Sequence, residues 1–510
     1  MANRLFLIGV DGATMDIIAP LAKDGQLPNF ARLISEGSSG LLASTVPCIS
    51  PVAWTSFSTG MNPGKHGIYD FTNRIPGKYA FTMSSALGRK TKPLWVMLSE
   101  AKKTVSVIGC MLTYPPDPVN GVMISGPGTP SRKGLPVVED YTYPMGLSAQ
   151  ITNDLGPYKT VLDINPRKID AVLKDKIMEL VRYRVKMSRY FMSKHLSDFN
   201  MLFFGETDVA SHFFWHDREF IHDIYKAVDS CLGEVMAIPE SNVFLMSDHG
   251  FSERRKVFFI DKWLKSKGYL SRRSKKLGAR LRRIISKKPP HEDYLNRIIW
   301  KDTKAFTALS SAGNIFLNIK DREPEGILTP DECEKTLASL VSDLEGLADP
   351  DTGAALIRKA YRKKDAFTGN DLSNAPDVTL AFNEGYGAGM PTIEDMETGD
   401  SIIADSLYWK GDHHKDGVFM AWGPDVRIGH TLSGAAIIDV APTILYSFGL
   451  PVFKAMDGKV LDDAFSPEFV SSNPVAMTNA DLGKGADGRD LTAAENEYIA
   501  NVLRNLGYLE

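Results

Sequence analysis

The strongest constraint in this chain is a rhythm. Short apolar runs at residues 5–10, 105–110, 201–204, 243–246 and 418–422 alternate with longer stretches of helical period, such as 175–193. Runs this short, apolar at successive positions, fit strands buried on both faces, and the amphipathic stretches fit the helices that cover them. The pattern predicts an α/β fold: a mostly parallel central sheet with helices on both faces. A chain of 510 residues exceeds one ordinary core, so the sheet is expected to carry insertions.

The residues just after each run are as informative as the run itself. The first run ends at Asp11, and 201–204 leads into a segment carrying Asp208 and His212. The run at 242–246 ends in Ser247-Asp248-His249-Gly250, and His413 and His414 stand just before 418–422. In an open parallel sheet the carboxyl ends of the strands share one edge, where ligands bind. These acids and imidazoles are therefore expected to meet. Carboxylates crowded without cations repel and raise one another's pKa, so two metal ions are the simplest reason for the crowd. Imidazole with carboxylate is the ligand mix of zinc, the favoured ion, and also suits manganese or iron. Asp208 and His212 are one helical turn apart and can face one ion. Asp248 and His249 would diverge in a regular strand and can converge only in a loop beyond it. Taken singly, each residue has a plainer reading as a turn acid or a surface histidine; the conjunction carries the argument.

The segment 46–71 is the second dense signal. Ser50 followed by Pro51 predicts a helix with Ser50 at its cap and Pro51 at its first position, ended by Gly60. A hydroxyl at a helix N-terminus beside two cations is also where an alkoxide forms most readily. Ser50 is thus the candidate site of that alkoxide, while Thr55 and Ser56 are expected inside the helix, facing its neighbours.

Together these residues resemble the alkaline phosphatase superfamily, most closely its type I phosphodiesterase/nucleotide pyrophosphatase-like branch and, within that, a phosphohydrolase/phosphomutase group. The resemblance rests on Gly9-Val-Asp-Gly12, Ser50-Pro-Val-Ala-Trp-Thr-Ser56, Thr59-Gly60, Asn62-Pro-Gly-Lys-His-Gly67, Asp208 with His212, Ser247-Asp-His-Gly250 and His413-His-Lys-Asp-Gly417. It implies an alkaline phosphatase-like core with cap insertions. It further implies that Asp11, Ser50, Asp248 and His249 hold one metal, and that Asp208, His212 and His413 hold the other. His413 is preferred to His414 because the family pattern is His, two residues, then Asp, completed here by Asp416. The implied activity is metal-dependent hydrolysis of a phosphoric ester, diester or monoester, through a phosphoseryl intermediate on Ser50. The alternatives are a phosphotransferase or phosphomutase of the same superfamily, or a binding protein that associates with membrane surfaces.

The chain departs from the branch in places. Ser50 stands where nucleotide pyrophosphatases usually carry Thr, and Phe71 stands near the place of their phosphoryl-binding Asn. Asn62 and Asn73 are candidates to replace that Asn, with Lys65 as a basic candidate for substrate binding. Neither Cys48 nor Ser50 begins the C/S-x-P-x-R pattern that sulfatases need. The core is expected at residues 1–264 and 401–510, discontinuous, with 265–400 as an insertion or cap. Within the cap, 271–288 is strongly basic, a candidate peripheral membrane contact whose plainer reading is a solvated helix face. A net charge of −3 gives no general pull towards nucleic acid. Four scattered cysteines without a CxxC pair, and no signal-peptide or membrane-span pattern, lead to the expectation of a cytoplasmic protein. The expected substrate is a small-molecule or lipid-head-group phosphate ester.

Overall fold

The computed structural model describes residues 2–162, 164, 168–273, 290–307, 310, 312–370, 372–389, 401–483, 485, 490–506, 508 and 509. Its centre is a nine-stranded sheet. Across it the strands run in the order His430–Ala436, Ser38–Ala43, Asp416–Trp422, Ser241–Met246, Arg4–Val10, Phe199–Phe204, Val105–Ile108, Gly121–Ile124 and Thr142–Tyr143. All point the same way except Asp416–Trp422 and Thr142–Tyr143. The sheet is therefore mostly parallel, as the rhythm of apolar runs requires.

The apolar runs lack a polar face because both faces are covered. Leu5 and Leu7 enter one hydrophobic cluster, with Met201, Phe203, Phe244 and Met246, while Phe6, Ile8 and Val10 enter a second, with Leu202, Phe204, Val243 and Leu245. Successive side chains of a strand point to opposite faces, so each strand feeds both cores in turn. Helices Ser50–Thr59, Leu94–Glu100 and Val440–Ser447 pack into the first cluster. Met15–Lys23, Pro28–Glu36, Ala171–Lys194 and Arg218–Met236 cover the other face.

Two features of the sheet are not evident from apolar runs alone. Strand Ser38–Ala43 is rich in Ser and Gly, and Gly40 is required by close approach: a Cβ there would lie 2.4 Å from the Leu432 carbonyl oxygen. Strand Asp416–Trp422 runs against its neighbours, pairing Met246 with Phe419 and Val243 with Trp422. Its amino end, and the residues just before it, therefore sit at the edge where the parallel strands have their carboxyl ends.

Beyond that edge, strand Gly250–Phe258 pairs with Gly411–His414, Gly385–Ala388 and Ile403–Asp405. Strands Ala305–Thr307, Asn314–Leu317, Val378–Phe382 and Ile357–Arg362 form a separate four-stranded sheet. It shares a third hydrophobic cluster with helix Pro330–Glu345 and with Phe258, Ile260, Trp263 and Leu264. Of the basic stretch 271–288, only 271–273 belong to the described residues. Among the described residues no helix is long and apolar enough to cross a membrane.

Candidate metal centre

Asp11 is the first residue beyond strand Arg4–Val10 and is buried. The turn that presents it needs Gly12. That residue has φ 67°, its N–H donates to Asp248 Oδ1 at 3.2 Å, and a Cβ there would lie 2.8 Å from Phe251 Cδ2. The neighbouring strand Phe199–Phe204 passes directly into helix Glu206–Phe214, on which His212 Nε2 lies 3.3 Å from Asp208 Oδ1, one turn away. Asp248 and His249 leave the end of Ser241–Met246 before the chain re-enters Gly250–Phe258, and His249 Nε2 is 3.2 Å from Asp248 Oδ2. His413 arrives from the antiparallel pairing of Phe251 with His413, which lays its ring on that of His249 with centroids 3.9 Å apart.

Ser50 differs from the sequence expectation in one respect. Ile49 occupies the cap of helix Ser50–Thr59, so Ser50 is the first helical residue and Pro51 the second. Its hydroxyl makes no capping bond. Instead Oγ donates to Asp11 Oδ1 at 3.3 Å and lies 3.3 Å from His249 Nε2. Thr55 donates to the Pro51 carbonyl and Ser56 bonds His66, as expected of residues inside the helix.

The histidines show what the cluster can bind. His212 Nδ1 lies 3.0 Å from the Gly411 carbonyl, His413 Nδ1 2.9 Å from the Cys48 carbonyl, and His249 Nδ1 3.0 Å from the Gly250 carbonyl. A carbonyl only accepts, so each Nδ1 carries a proton, and each ring, when neutral, turns the lone pair of Nε2 inward. His212 Nε2 and His413 Nε2 stand 3.0 Å apart, and each is 3.3 Å from Asp208 Oδ1. Lone pairs facing one another at that separation repel unless a cation lies between them. Asp208 Oδ1 and Asp248 Oδ2 are buried and take no hydrogen bond from the described protein. Asp11–Asp248–His249, Asp208–His249–His413 and His212–Asp412–His413 each gather their donor atoms within 4.8 Å. Imidazole lone pairs with unpartnered carboxylate oxygens are a donor set that fits divalent transition-metal cations.

Electrostatics agree. Burial first, then the charges of Asp248 and Asp208, push the Asp11 carboxyl well above its ordinary value. Burial, then Asp208, pushes Asp248 up to about 7. Asp208 goes the other way: burial opposes its charge, but His212 and His413, when protonated, outweigh burial and hold it well below the carboxylate range. Three buried carboxylates at one sheet edge are thus at odds with one another at neutral pH, and positive charge relieves the conflict.

Several neighbours join the cluster through contacts made in space. Trp54 Nε1 donates to Asp11 Oδ2 at 2.9 Å. Trp409 stacks on His212 with centroids 3.9 Å apart. Asp412, not Asp416, joins the cluster: Asp412 accepts from the His413 N–H at 2.9 Å and pairs with Arg254 at 3.2 Å, whereas Asp416 pairs with Lys415. The only local hint of Asp412 was its place immediately before His413. Tyr508, close to the carboxyl end of the chain, donates to Asp208 Oδ2. The candidate substrate contacts behave differently. Asn62 caps helix Pro63–His66 and binds the Thr368 N–H and the Ala366 carbonyl, and Lys65 bonds the Ala455 carbonyl and Asp457. Those polar groups are engaged in joining loops. Asn73 lies on the hairpin of Thr72–Arg74 with Phe81–Met83.

The sequence pattern of the type I phosphodiesterase / nucleotide pyrophosphatase family matches residues 5–414, which include every residue of the cluster except Tyr508. The chain belongs to this family. It is therefore a phosphoric ester hydrolase, and the family's dependence on divalent metal accords with the donor set. Among solved structures it is similar to murine ectonucleotide pyrophosphatase / phosphodiesterase 5, at 13% identity and a TM-score of 0.52, over 91% of this chain and 100% of that chain. An inactive form of the murine protein in complex with AMP matches at 12% identity with the same TM-score of 0.52 and the same coverage, 91% and 100%. At such identity the likeness shows a shared fold. No curated protein matches the chain.

Proposed function

We propose that this family member cleaves phosphoric esters through a phosphoseryl intermediate on Ser50 at a centre holding two divalent ions, zinc favoured over manganese or iron. Asp11, Ser50, Asp248 and His249 would hold one ion, and Asp208, His212 and His413 the other. The observation that carries the reading is the convergence of three Nε2 lone pairs on Asp208 Oδ1, with Ser50 Oγ 3.3 Å from both Asp11 Oδ1 and His249 Nε2. Bound divalent ions at such a site supply Lewis acidity and lower the pKa of a hydroxyl or water.

The chain's own residues account for the rest. Asp11 orients the Ser50 hydroxyl and is itself held by Trp54 on its other oxygen. Ser50 Oγ gives up its proton to solvent and attacks phosphorus as the bond to the leaving oxygen breaks; that oxygen departs with the bonding pair and takes a proton from water. A second water then adds to phosphorus as the Ser50 O–P bond breaks and one of its protons returns to Oγ. The positive end of helix Ser50–Thr59 favours the phosphoryl oxygens at this point. The substrate class we favour is a small-molecule or lipid-head-group phosphate ester. The free thiols of Cys48, Cys110, Cys231 and Cys333 support a reducing, cytoplasmic setting.

The test is an acid quench of turnover on mono- and bis-nitrophenyl phosphates, followed by peptide mass analysis. Phosphate on Ser50, and loss of both label and turnover in Ser50→Ala, is the expected result; full turnover by Ser50→Ala overturns it. Adding acceptor alcohols to the same reaction separates hydrolysis from transfer, since a transferase would yield alkyl phosphate in place of free phosphate.

A further inference from the structure

The carboxyl end of the chain lies outside the matched residues 5–414, yet it reaches the metal centre. Helix Ala493–Leu506 packs through Ile499, Ala500, Leu503 and Leu506 into a hydrophobic cluster shared with Ile49, Val52, Phe71, Phe213 and Trp409. Beyond it, the Tyr508 N–H donates to the Leu503 carbonyl at 2.8 Å, and Leu509 pairs with Ser310. These contacts fix a buried Tyr508 ring, stacked on Phe71 with centroids 4.6 Å apart and edge-on to His212 at 5.6 Å and Trp409 at 5.4 Å. Its hydroxyl donates to Asp208 Oδ2.

We infer that Tyr508 is a positioning residue for the metal centre. By occupying Oδ2, it leaves Oδ1 as the one free donor oxygen of Asp208. That oxygen is 3.3 Å from both His212 Nε2 and His413 Nε2, and 4.0 Å from His249 Nε2. A carboxylate without this bond can rotate, present both oxygens, or turn away. With it, Asp208 offers a single fixed donor between the imidazoles. The carboxyl-terminal segment thus completes a site whose ligands all come from the matched region. Partners that orient a ligand commonly set metal affinity by 10–100-fold. The inference rests on the two-ion reading of the centre.

Its test is metal binding rather than turnover. Stripped wild type, Tyr508→Phe and Leu509→Ala are titrated with Zn²⁺ against a chromophoric chelator, and each is loaded with Co²⁺ for its visible spectrum. Tyr508→Phe keeps the ring and its stacking and removes only the hydroxyl. It is expected to lose about 10-fold or more in affinity at one of the two ions and to shift the Co²⁺ bands. Leu509→Ala removes packing from the same cluster without touching Asp208, so it is expected to lower the melting temperature and keep wild-type affinities. Wild-type affinity and spectrum in Tyr508→Phe overturn the inference while leaving the two-ion centre intact. Wild type that binds no metal overturns both.

Discussion

Asp248→Asn in metal-stripped protein isolates the conflict at the sheet edge. Burial and the Asp208 charge push Asp248 from 3.8 to about 7, which corresponds to about 4 kcal/mol against the charged form. A carboxyl raised in the folded state stabilises it fully below the unfolded value of 3.8, and that stability is lost as pH rises through about 7. Asn is neutral throughout and can keep the acceptor for the Gly12 N–H, so the variant escapes the loss. At pH 8 stripped Asp248→Asn is expected to be more stable than stripped wild type by up to about 4 kcal/mol. With an unfolding entropy of about 2 cal/mol/K per residue, that is about 4 °C in Tm for one cooperative unit of this length. The gap should close between pH 7 and pH 4. Zn²⁺ should narrow the gap, because only wild type gains the full binding energy: about 2.7 kcal/mol for free metal at a hundred times Kd, and about 4.1 kcal/mol, enough to cancel the gap, at a thousand times. The assay is scanning calorimetry of both proteins across pH, with chelator and with metal. A gap independent of pH, or a stripped variant less stable at pH 8, would refute the reasoning.

Single contacts give further expectations. Trp54→Phe removes the bond to Asp11 Oδ2 and keeps most of the packing; it should cost about 1.5–3 kcal/mol in urea titrations and reduce kcat by about 10–100-fold. Gly9→Ala would bring a Cβ to 2.7 Å from Trp54 Cη2, displacing the same indole, at about 1–3 kcal/mol of stability and with a matching fall in kcat. Asp70 is pushed up to about 6 by burial, against bonds from Ser310 and Asn314. Its contribution to stability is therefore lost as pH rises from about 4 to about 6, and the stability of Asp70→Asn relative to wild type should climb over that interval and stay level above it.

The candidate ligands that were legible in the sequence share a physical cause. Asp11, Asp208, Asp248 and His249 each come within a few residues of the end of an apolar run, and the parallel sheet aligns such ends whatever their separation along the chain. His413 was legible for a related reason, since it precedes a strand that runs the opposite way. What escaped depends on contacts through space. Trp54 and Trp409 look like any core aromatic until the fold sets them against Asp11 and His212. Tyr508 is separated from Asp208 by 300 positions, and no local period marks it. Ser50 followed by Pro51 reads as a cap in any local rule; only Asp11 and His249, brought from elsewhere, show why its hydroxyl faces away from the helix backbone. Strand Ser38–Ala43 escaped because Ser and Gly there serve close packing beside Leu432 and carry little apolar signal.

The most direct measurement is elemental analysis of the purified chain beside His212→Ala and Asp248→Asn. Two divalent ions per wild-type chain, falling towards one in each variant with loss of esterase activity, is the predicted result. A metal-free wild type whose activity on phosphate esters survives exhaustive chelation would contradict the account.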